Sequence, residues 1–372
     1  MRGTIKITAA FSVVALLAAA CGSNTNKAGS GGTSSPGSGA KSSATLKGCM
    51  VTDTGGIDDR SFNASSWQGV QQAQQADPSQ ISTGNIKYLQ STTQSDYVPN
   101  IDAFMSQKCG IIVTVGYLMG NATQAAAKAH PSQHFAIVDY NYTPPLHNVD
   151  ALLFNTVEDA FLGGYLAAGM SKSHKVATFG GQEIPTVTIY MDGFWDGVQY
   201  YNHQHHSNVQ VLGWNEQTQK GSFTGNFTNQ TSGATLTGTF LREGADIIFP
   251  VAGNVGLGAA KAVQIADTTA GAHAAMEWVD TDGCISAPQY CKYFITSVTK
   301  GIQTAVKNAV LASVHGTFHG GNYIGTLANG GVKLAPFHDW ASKVPTALKS
   351  ELATIQKEIE NGKIKPKTKS PV

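Results

Sequence analysis

The stretch Thr52-Asp53-Thr54-Gly55-Gly56-Ile57-Asp58-Asp59-Arg60-Ser61-Phe62-Asn63 follows a short apolar run near the start of the globular part of the chain. An acid leaves a predicted strand, two glycines let the backbone turn, and Phe62 and Asn63 stand where a helix begins. In open sheets of parallel strands, ligands bind beyond the carboxyl ends of the strands, so this is a candidate binding loop. The alternative is ordinary helix capping by its acids or its asparagine, with the phenylalanine as a hydrophobic staple.

The rest of the chain repeats this strand-then-helix pattern. Amphipathic stretches with apolar residues three and four apart, such as Trp67, Val70 and Ala73, lie between short β-branched runs. Repeated βα units predict an open, doubly wound α/β sheet, and so many strands fill two sheets better than one. The predicted strands are residues 49–52, 86–89, 111–115, 135–138, 176–179, 209–212, 247–251, 276–279 and 294–297.

The first stretch, continued by Trp67-x-Gly69, resembles the signature of the basic membrane protein family of substrate-binding lipoproteins, whose best understood members bind purine nucleosides. Later matches to the family's order include Phe154-Asn155-x-x-Glu158, Trp278-Val279-Asp280 and Thr296-Ser297-Val298-Thr299-Lys300. The resemblance implies the periplasmic-binding-protein type I fold, with two doubly wound parallel-sheet lobes joined by a three-stranded hinge. It assigns residues 45–153 plus about 281–318 to the first lobe, and 154–280 plus about 319–372 to the second.

The resemblance also implies a set of ligand-binding residues at strand ends and helix starts. A purine has two π faces and a hydrogen-bonding edge, so two aromatic rings would hold the faces, an Asp and an Asn the edge, and an Asp with a Lys the ribose. The alternative for the strand-end acids is capping of the next helix. The implied residues are Asp53, Phe62, Asn63, Asp139, Phe227, Gly253, Asp280 and Lys300.

The aromatic residue from the second lobe has competitors. We expect Phe227, although Trp214 and Phe223 lie nearby in the sequence. The family has an acid two residues after its phenylalanine, whereas this chain has Asn229. An amide in place of a carboxylate changes which donors of a base or sugar can be bound, so the exact ligand stays open.

The N-terminus predicts export and lipid anchoring. Arg2 and Lys6 precede an apolar run that is too short to span a membrane, and small residues lead to Cys21. Residues 1–20 therefore read as a lipoprotein signal peptide, Cys21 as the lipidated residue and residues 21–44 as a flexible Ser/Gly tether. The predicted location is the extracytoplasmic face of the cell membrane. The alternative is a plain secretory peptide that happens to precede a cysteine.

Four further cysteines lie in the exported part, where disulfides are chemically possible. Cys49 and Cys109 stand at the starts of two predicted strands, and Cys284 and Cys291 bracket one short loop. We expect these two pairs among the three possible connectivities; the alternative is four buried free thiols. No Cys-x-x-Cys pair occurs among them, which disfavours zinc.

Composition and motifs narrow the function further. With 25 basic and 24 acidic residues, the chain has no electrostatic case for nucleic acid. We expect no metal at His203, His205 and His206, because adjacent histidines lack helical ligand spacing. Neither GxSxG nor HExxH is present. No cofactor is expected.

The interpretation is a monomeric solute-binding lipoprotein, not an enzyme, that captures a nucleoside and delivers it to an ABC transporter permease. The expected ligand is a purine nucleoside. Two alternatives stay open: an extracellular nucleoside-processing enzyme, and a binding protein for riboflavin, a sugar or a signalling molecule. An enzyme would split its ligand, whereas a transporter component returns it unchanged when the lobes open.

Anchoring through Cys21 is directly testable. Replacing Cys21 with Ser removes the thiol that carries the lipid, so the variant should appear in the soluble fraction of lysed cells. Membrane fractionation with immunoblotting measures this. A serine variant that stays with the membrane as strongly as the parent contradicts the anchor.

Overall fold

The computed structural model describes residues 46–271 and 273–372, which form an α/β protein built on two six-stranded sheets. The predicted signal peptide, Cys21 and the tether up to residue 44 lie outside the described residues. The strands are β1 (Gly48–Val51), β2 (Ile86–Leu89), β3 (Ile111–Val115), β4 (His134–Val138), β5 (Val149–Phe154), β6 (Lys175–Gly180), β7 (Gln210–Leu212), β8 (Trp214–Asn215), β9 (Lys220–Gly221), β10 (Ile247–Val251), β11 (Ala275–Asp280), β12 (Phe294–Lys300), β13 (Gly321–Gly325) and β14 (Val332–Leu334).

Ten helices surround the sheets in the part of the chain that the structure describes. They are α1 (Phe62–Ala76), α2 (Tyr97–Ser106), α3 (Gly120–Ala129), α4 (Val157–Met170), α5 (Pro185–His205), α6 (Gln230–Arg242), α7 (Val255–Ala270), α8 (Gly283–Ser286), α9 (Ile302–Val314) and α10 (Thr346–Glu360). None of the described helices combines the length and apolar character that a membrane crossing requires.

The first sheet has the strand order β13-β5-β4-β3-β1-β2, and all its pairings are parallel. Every residue of β1 and β3 is buried, as expected for strands covered on both faces. Helices α1 and α9 pack together, with α9 against β3, β4 and β5, while α2 and α3 pack together on the same sheet. This sheet and these helices form the first lobe.

The second sheet has the order β14-β12-β11-β10-β6-β7, parallel except for the edge pairing of β12 with β14. Helices α4 and α5 pack on one another, as do α6 and α7, and α10 packs on α4. We call this sheet and its helices the second lobe. Two α/β lobes with parallel sheets confirm the predicted fold class.

Three connections join the lobes: residues 155–156, Gly301, and residues 326–331. Backbone hydrogen bonds link them. The Asn155 N–H donates at 2.8 Å to the carbonyl of Gly325, the last residue before the third connection, and the Gly301 N–H donates to Gly331 O at 2.7 Å. Backbone bonding between the connections restricts how they can move independently.

The predicted lobe boundaries need correction. The range 281–318 was assigned to the first lobe, yet β12 within it pairs with β11 of the second sheet. The range 319–372 was assigned to the second lobe, yet β13 pairs with β5 of the first. After β11 the chain forms α8 and returns to the second sheet as β12. It therefore crosses to the first lobe at Gly301 and back to the second lobe after β13.

All nine predicted strands are present, with ends shifted by a few residues at most. The missed strands have identifiable reasons. Strand β5 carries Asp150 within its apolar run, β8 and β9 have only two residues each, β13 is a glycine-bounded edge strand with alternating exposure, and β14 is a three-residue antiparallel edge. Edge strands lack the continuous apolar signal of buried ones.

The structure contains the two expected disulfides. Cys49 in β1 is bonded to Cys109, just before β3, with the Cα atoms 6.0 Å apart. Cys284 is bonded to Cys291 with a Cα separation of 4.5 Å. The first pair closes a loop with a sequence separation of 60 residues and the second one of 7.

Loop length predicts unequal contributions to stability. Under the chain-entropy account, Cys49→Ser with Cys109→Ser should lower the free energy of unfolding by about 4 kcal/mol, and the Cys284→Ser, Cys291→Ser pair by about 2 kcal/mol. Urea unfolding of the two double-serine variants, each the other's control, measures this. Peptide mapping without reductant that finds all four thiols free would refute the pairing.

Candidate functional site

A cavity of about 540 Å³, open solvent at its mouth included, lies between the lobes at the carboxyl ends of their strands. The first lobe contributes the loops after β1, β3 and β4, and the second contributes strand ends from β10, β11 and β12 together with the start of α5. All eight residues implied by the resemblance line this cavity: Asp53, Phe62, Asn63, Asp139, Phe227, Gly253, Asp280 and Lys300.

The loop after β1 is fixed by Asp59. Its carboxylate accepts hydrogen bonds from the backbone N–H groups of Ser61 at 3.0 Å, Asn63 at 2.7 Å and Ala64 at 3.1 Å. Donors at the start of a helix such as α1 have no partner within the helix itself. Capping, the alternative considered for this loop, is therefore the role of Asp59. Burial raises the pKa of Asp59 to about 7.

Asn63 has one possible amide orientation in this loop. Its Nδ2 donates to Asp53 Oδ1 at 2.9 Å and to Asp59 Oδ2 at 3.1 Å, where an amide oxygen would be repelled. The buried Oδ1 has no partner among the described residues. A Cβ at Gly55 would lie 2.8 Å from Nδ2, so the glycine makes room for this amide. Asn63 thus supplies a fixed, unpaired acceptor at the cavity.

Lys300 lies at the centre of an ion cluster that spans the lobes. Its ammonium bonds the carboxylate of Asp139 in the first lobe and lies 3.6 Å from Asp280 Oδ1 in the second. Asp280 also accepts from Ser61 Oγ at 2.8 Å and from Tyr190 Oη at 3.0 Å. Burial alone would lower the pKa of Lys300, but the two carboxylates outweigh it and raise that pKa above its ordinary value. The ammonium therefore stays charged.

The two acids of this cluster sit in left-handed backbone conformations. The φ angle is 66° at Asp139 and 65° at Asp280, a region that costs energy for residues other than glycine. Their carboxylates bond Lys300, Ser61 and Tyr190 and make no hydrogen bond to the start of a following helix. Capping, the alternative for these two acids, is excluded by the contacts in the described chain.

Aromatic rings surround the charged group. The Lys300 ammonium lies 5.1 Å from the centroid of the Phe62 ring and 5.2 Å from that of Tyr190, within the range of a cation–π contact. Phe62 and Phe227 are half-buried and line the cavity from opposite lobes. The cavity therefore offers an aromatic surface from each lobe.

The competitors of Phe227 have other contacts. The indole N–H of Trp214 donates to Asp192 at 3.0 Å, and Phe223 packs edge-to-face on Trp214 with the ring centroids 5.9 Å apart. Asn229 caps α6 by accepting the Ser232 backbone N–H at 3.2 Å. Within the described residues none of the three lines the cavity, so the Asn229 departure leaves its lining unchanged.

The sequence-based reasoning missed several lining residues. Gly116 and Tyr117 directly follow β3, so the strand-end rule could have found them. Tyr190 lies inside the long helix α5 and is fully buried, which makes it indistinguishable in sequence from a core residue. The other lining residues outside the implied set are Gly55, Asp59, Ile184, Thr186, Val187, Val251, Ala252 and Asn254.

One cluster outside the cavity has metal-ligand residue types. Atoms of Asp282, Cys284 and His338 lie within 4.8 Å of one another. Cys284 is bonded to Cys291, and His338 Nε2 lies 2.7 Å from Asp282 Oδ2. A disulfide sulfur cannot act as a thiolate ligand, so the contact is a His–Asp hydrogen bond.

The ion cluster predicts a large stability effect at Lys300. Lys300→Met leaves the carboxylates of Asp139 and Asp280 buried without their cation, which should cost about 3–5 kcal/mol in the free energy of unfolding. Urea unfolding at neutral pH measures this, with Lys363→Met as control, because Lys363 pairs with Glu358 at the surface. Equal small effects of both substitutions would contradict the cluster's role.

Comparisons with known proteins agree with this geometry. The family model described as "ABC transporter substrate-binding protein PnrA-like" (Bmp) matches residues 46–372. The chain is 28% identical over 362 residues to the "ABC transporter nucleoside-binding protein BmpA" of Lactococcus lactis, covering 95% of this chain and 97% of that protein. It is 30% identical to the "CD4+ T-cell-stimulating antigen" of Listeria monocytogenes, covering 76% of this chain and 78% of that protein.

A solved structure shares the fold. The structure titled as ABC transporter system solute-binding proteins from Aeropyrum pernix superposes with a TM-score of 0.75 at 24% identity, covering 86% of this chain and 92% of the other. Together with the family match over nearly all described residues, this confirms the resemblance seen in the sequence. The chain belongs to the basic membrane protein (Bmp) family of ABC transporter substrate-binding proteins.

Proposed function

We propose that this protein is a lipid-anchored, extracytoplasmic solute-binding protein that captures a purine nucleoside between its lobes and delivers it to an ABC transporter permease. The observation that carries the proposal is the composition of one cavity. It combines aromatic side chains from both lobes, Phe62 and Phe227, with a fixed polar edge at Asn63 and the buried pair of Asp280 with Lys300.

The base is assigned to the aromatic end. Aromatic rings hold the faces of a purine by stacking, and stacking tolerates any base because each has a π face. The unpaired Asn63 Oδ1 is an acceptor for a ring or exocyclic N–H, and Asp53 lies beside it, with its Oδ1 occupied by Gly55 and Asn63. A buried unpaired acceptor costs about 1–3 kcal/mol, which a ligand donor would relieve.

The sugar is assigned to the ion cluster. Asp280 accepts hydrogen bonds and the Lys300 ammonium donates them, so together they can bond hydroxyl groups in both directions. Burial of the charged groups makes each bond to them stronger than it would be in water.

The comparisons support the ligand class and the anchoring without deciding either. The Lactococcus relative is named a nucleoside-binding protein, and an uncharacterised relative from Pyrococcus horikoshii, 27% identical over 341 residues, is named a lipoprotein. The proposed lipid anchor is Cys21, with residues 21–44 as the tether.

Titration calorimetry tests the ligand and the aromatic surfaces together. The parent should bind adenosine, guanosine or inosine, and bind uridine, riboflavin and ribose less tightly. Phe62→Ala and Phe227→Ala should each weaken purine nucleoside binding by about 1–3 kcal/mol, which is about 5- to 150-fold in dissociation constant. Phe223→Ala is the matched control, because its ring packs on Trp214 outside the cavity lining of the described chain.

Three results would count against the proposal. Heat with riboflavin or a sugar but with no nucleoside would overturn the ligand class. If Phe223→Ala weakens nucleoside binding while Phe227→Ala leaves it unchanged, Phe223 and not Phe227 is the second-lobe aromatic that contacts the base. Conversion of the nucleoside into base and sugar, seen by chromatography after incubation, would make the protein an enzyme.

A further inference from the structure

A second chamber lies beside the ligand cavity. It encloses about 840 Å³ when the open solvent at its mouth is included, and it shares four lining residues with that cavity: Tyr117, Asp139, Thr186 and Lys300. Because Lys300 and Asp139 belong to both linings, the chamber adjoins the end of the cavity where the proposed sugar site lies.

The lining of the chamber includes a buried residue whose hydroxyl has no hydrogen-bond partner among the described residues. Thr156, in the first connection between the lobes, lines it and is fully buried, and its Oγ1 has no hydrogen-bond partner in residues 46–271 and 273–372. A buried hydroxyl left unpaired costs about 1–3 kcal/mol. Thr156 therefore places an unpaired hydroxyl beside the chamber, in a connection that joins the lobes.

One wall of the chamber is formed by residues near the C-terminal end of the described chain, which hydrogen bonds fix to α5. Thr368 Oγ1 and the Lys369 backbone N–H donate to Asp192 Oδ2 at 2.8 and 3.0 Å, and Ser370 Oγ lies 2.7 Å from Thr188 Oγ1. Ser370 and the two residues after it then line the chamber.

The anchor of this segment is itself firmly placed. Asp192 is fully buried, and its Oδ1 accepts from Trp214 Nε1 at 3.0 Å and Gln219 Nε2 at 2.8 Å. The second oxygen, Oδ2, accepts the hydrogen bonds from Thr368 and Lys369. A wall fixed by a buried, fully bonded carboxylate is part of the fold, so the chamber has a defined boundary on this side.

The charges of the chamber restrict what can occupy it. Asp139 and Lys300 are the charged side chains in its described lining, and they are bonded to each other. A phosphate there would meet a carboxylate and find no free cation. Phe154, Pro185 and Ile189 add apolar surface, which suits an uncharged group.

We propose that the chamber is a second subsite, which accepts an uncharged substituent on the 5′ carbon of a bound nucleoside. This rests on the proposed function, in which Asp280 and Lys300 hold the ring hydroxyls of the ribose. The 5′ carbon is the exocyclic position of the sugar and can extend past Lys300 into the chamber. Thr156 Oγ1 supplies a hydrogen bond for a polar atom of the substituent.

Calorimetry with three ligands tests the subsite: adenosine, 5′-deoxy-5′-methylthioadenosine and adenosine 5′-monophosphate. The methylthio compound should bind within about 3-fold of adenosine or more tightly, because its substituent enters a space that already exists. The monophosphate should bind at least about 100-fold more weakly, equivalent to about 2.7 kcal/mol, because its charge is desolvated without a partner.

A chamber-filling variant gives the sharper readout. Ile189→Phe enlarges a side chain that lines the chamber and not the ligand cavity. The affinity for the methylthio compound should therefore fall by about 10-fold or more, while the affinity for adenosine should change by less than about 2-fold. Asn141→Trp fills the chamber from its exposed first-lobe side, and serves if Ile189→Phe does not fold. Ile265→Phe, on the exposed face of α7, is the matched control.

The outcomes separate the two proposals. If the parent protein binds adenosine but binds the methylthio compound about 30-fold or more weakly, the subsite is wrong and the proposed function stands. Equal weakening of both ligands by the filling variants also overturns the subsite. Absence of binding by every nucleoside overturns the subsite together with the proposed function.

Discussion

The buried ammonium group of Lys300 is the constraint on which the arrangement of the two lobes depends. It is the last residue of β12, so it sits where the chain leaves the second sheet for the first lobe. From there it bonds Asp139 of the first lobe and faces Asp280 of the second. Removing ions from water costs several kcal/mol for each, and only the complete cluster offsets that cost. The strand ends of both lobes must therefore meet at this residue.

The same cluster links stability to ligand capture. The Ser61 hydroxyl, which directly precedes Phe62 and Asn63 at the start of α1, donates a hydrogen bond to Asp280. Asp59 in turn caps α1 and fixes the amide of Asn63. The polar groups of the cavity are thus held before a ligand arrives, which lowers the ordering cost of binding. A ligand that bonds Asp280 and Lys300 would touch the groups that join the lobes.

The parts of the fold and site that could be predicted share a physical basis. Buried parallel strands give continuous apolar runs, and parallel strands of one sheet end at the same edge. Asp53 and Asp139 leave the first sheet and Asp280 ends a strand of the second, so the three acids meet in the cavity that both edges line. Tyr190 could not be found, since a buried tyrosine within a helix carries no local signal. The late lobe crossings were misplaced because sheet membership of β12 and β13 is decided by long-range pairing, which no local pattern encodes.

The central claim is that one nucleoside is held between the aromatic end of the cavity and the ion cluster that joins the lobes. A crystal structure of the protein grown with adenosine tests this most directly. We expect the base between Phe62 and Phe227, an N–H of the base bonded to Asn63 Oδ1, and ribose hydroxyls within hydrogen-bond distance of Asp280 and Lys300. A nucleoside bound outside this cavity, or inside it with Lys300 bonded only to Asp139, would contradict this binding mode.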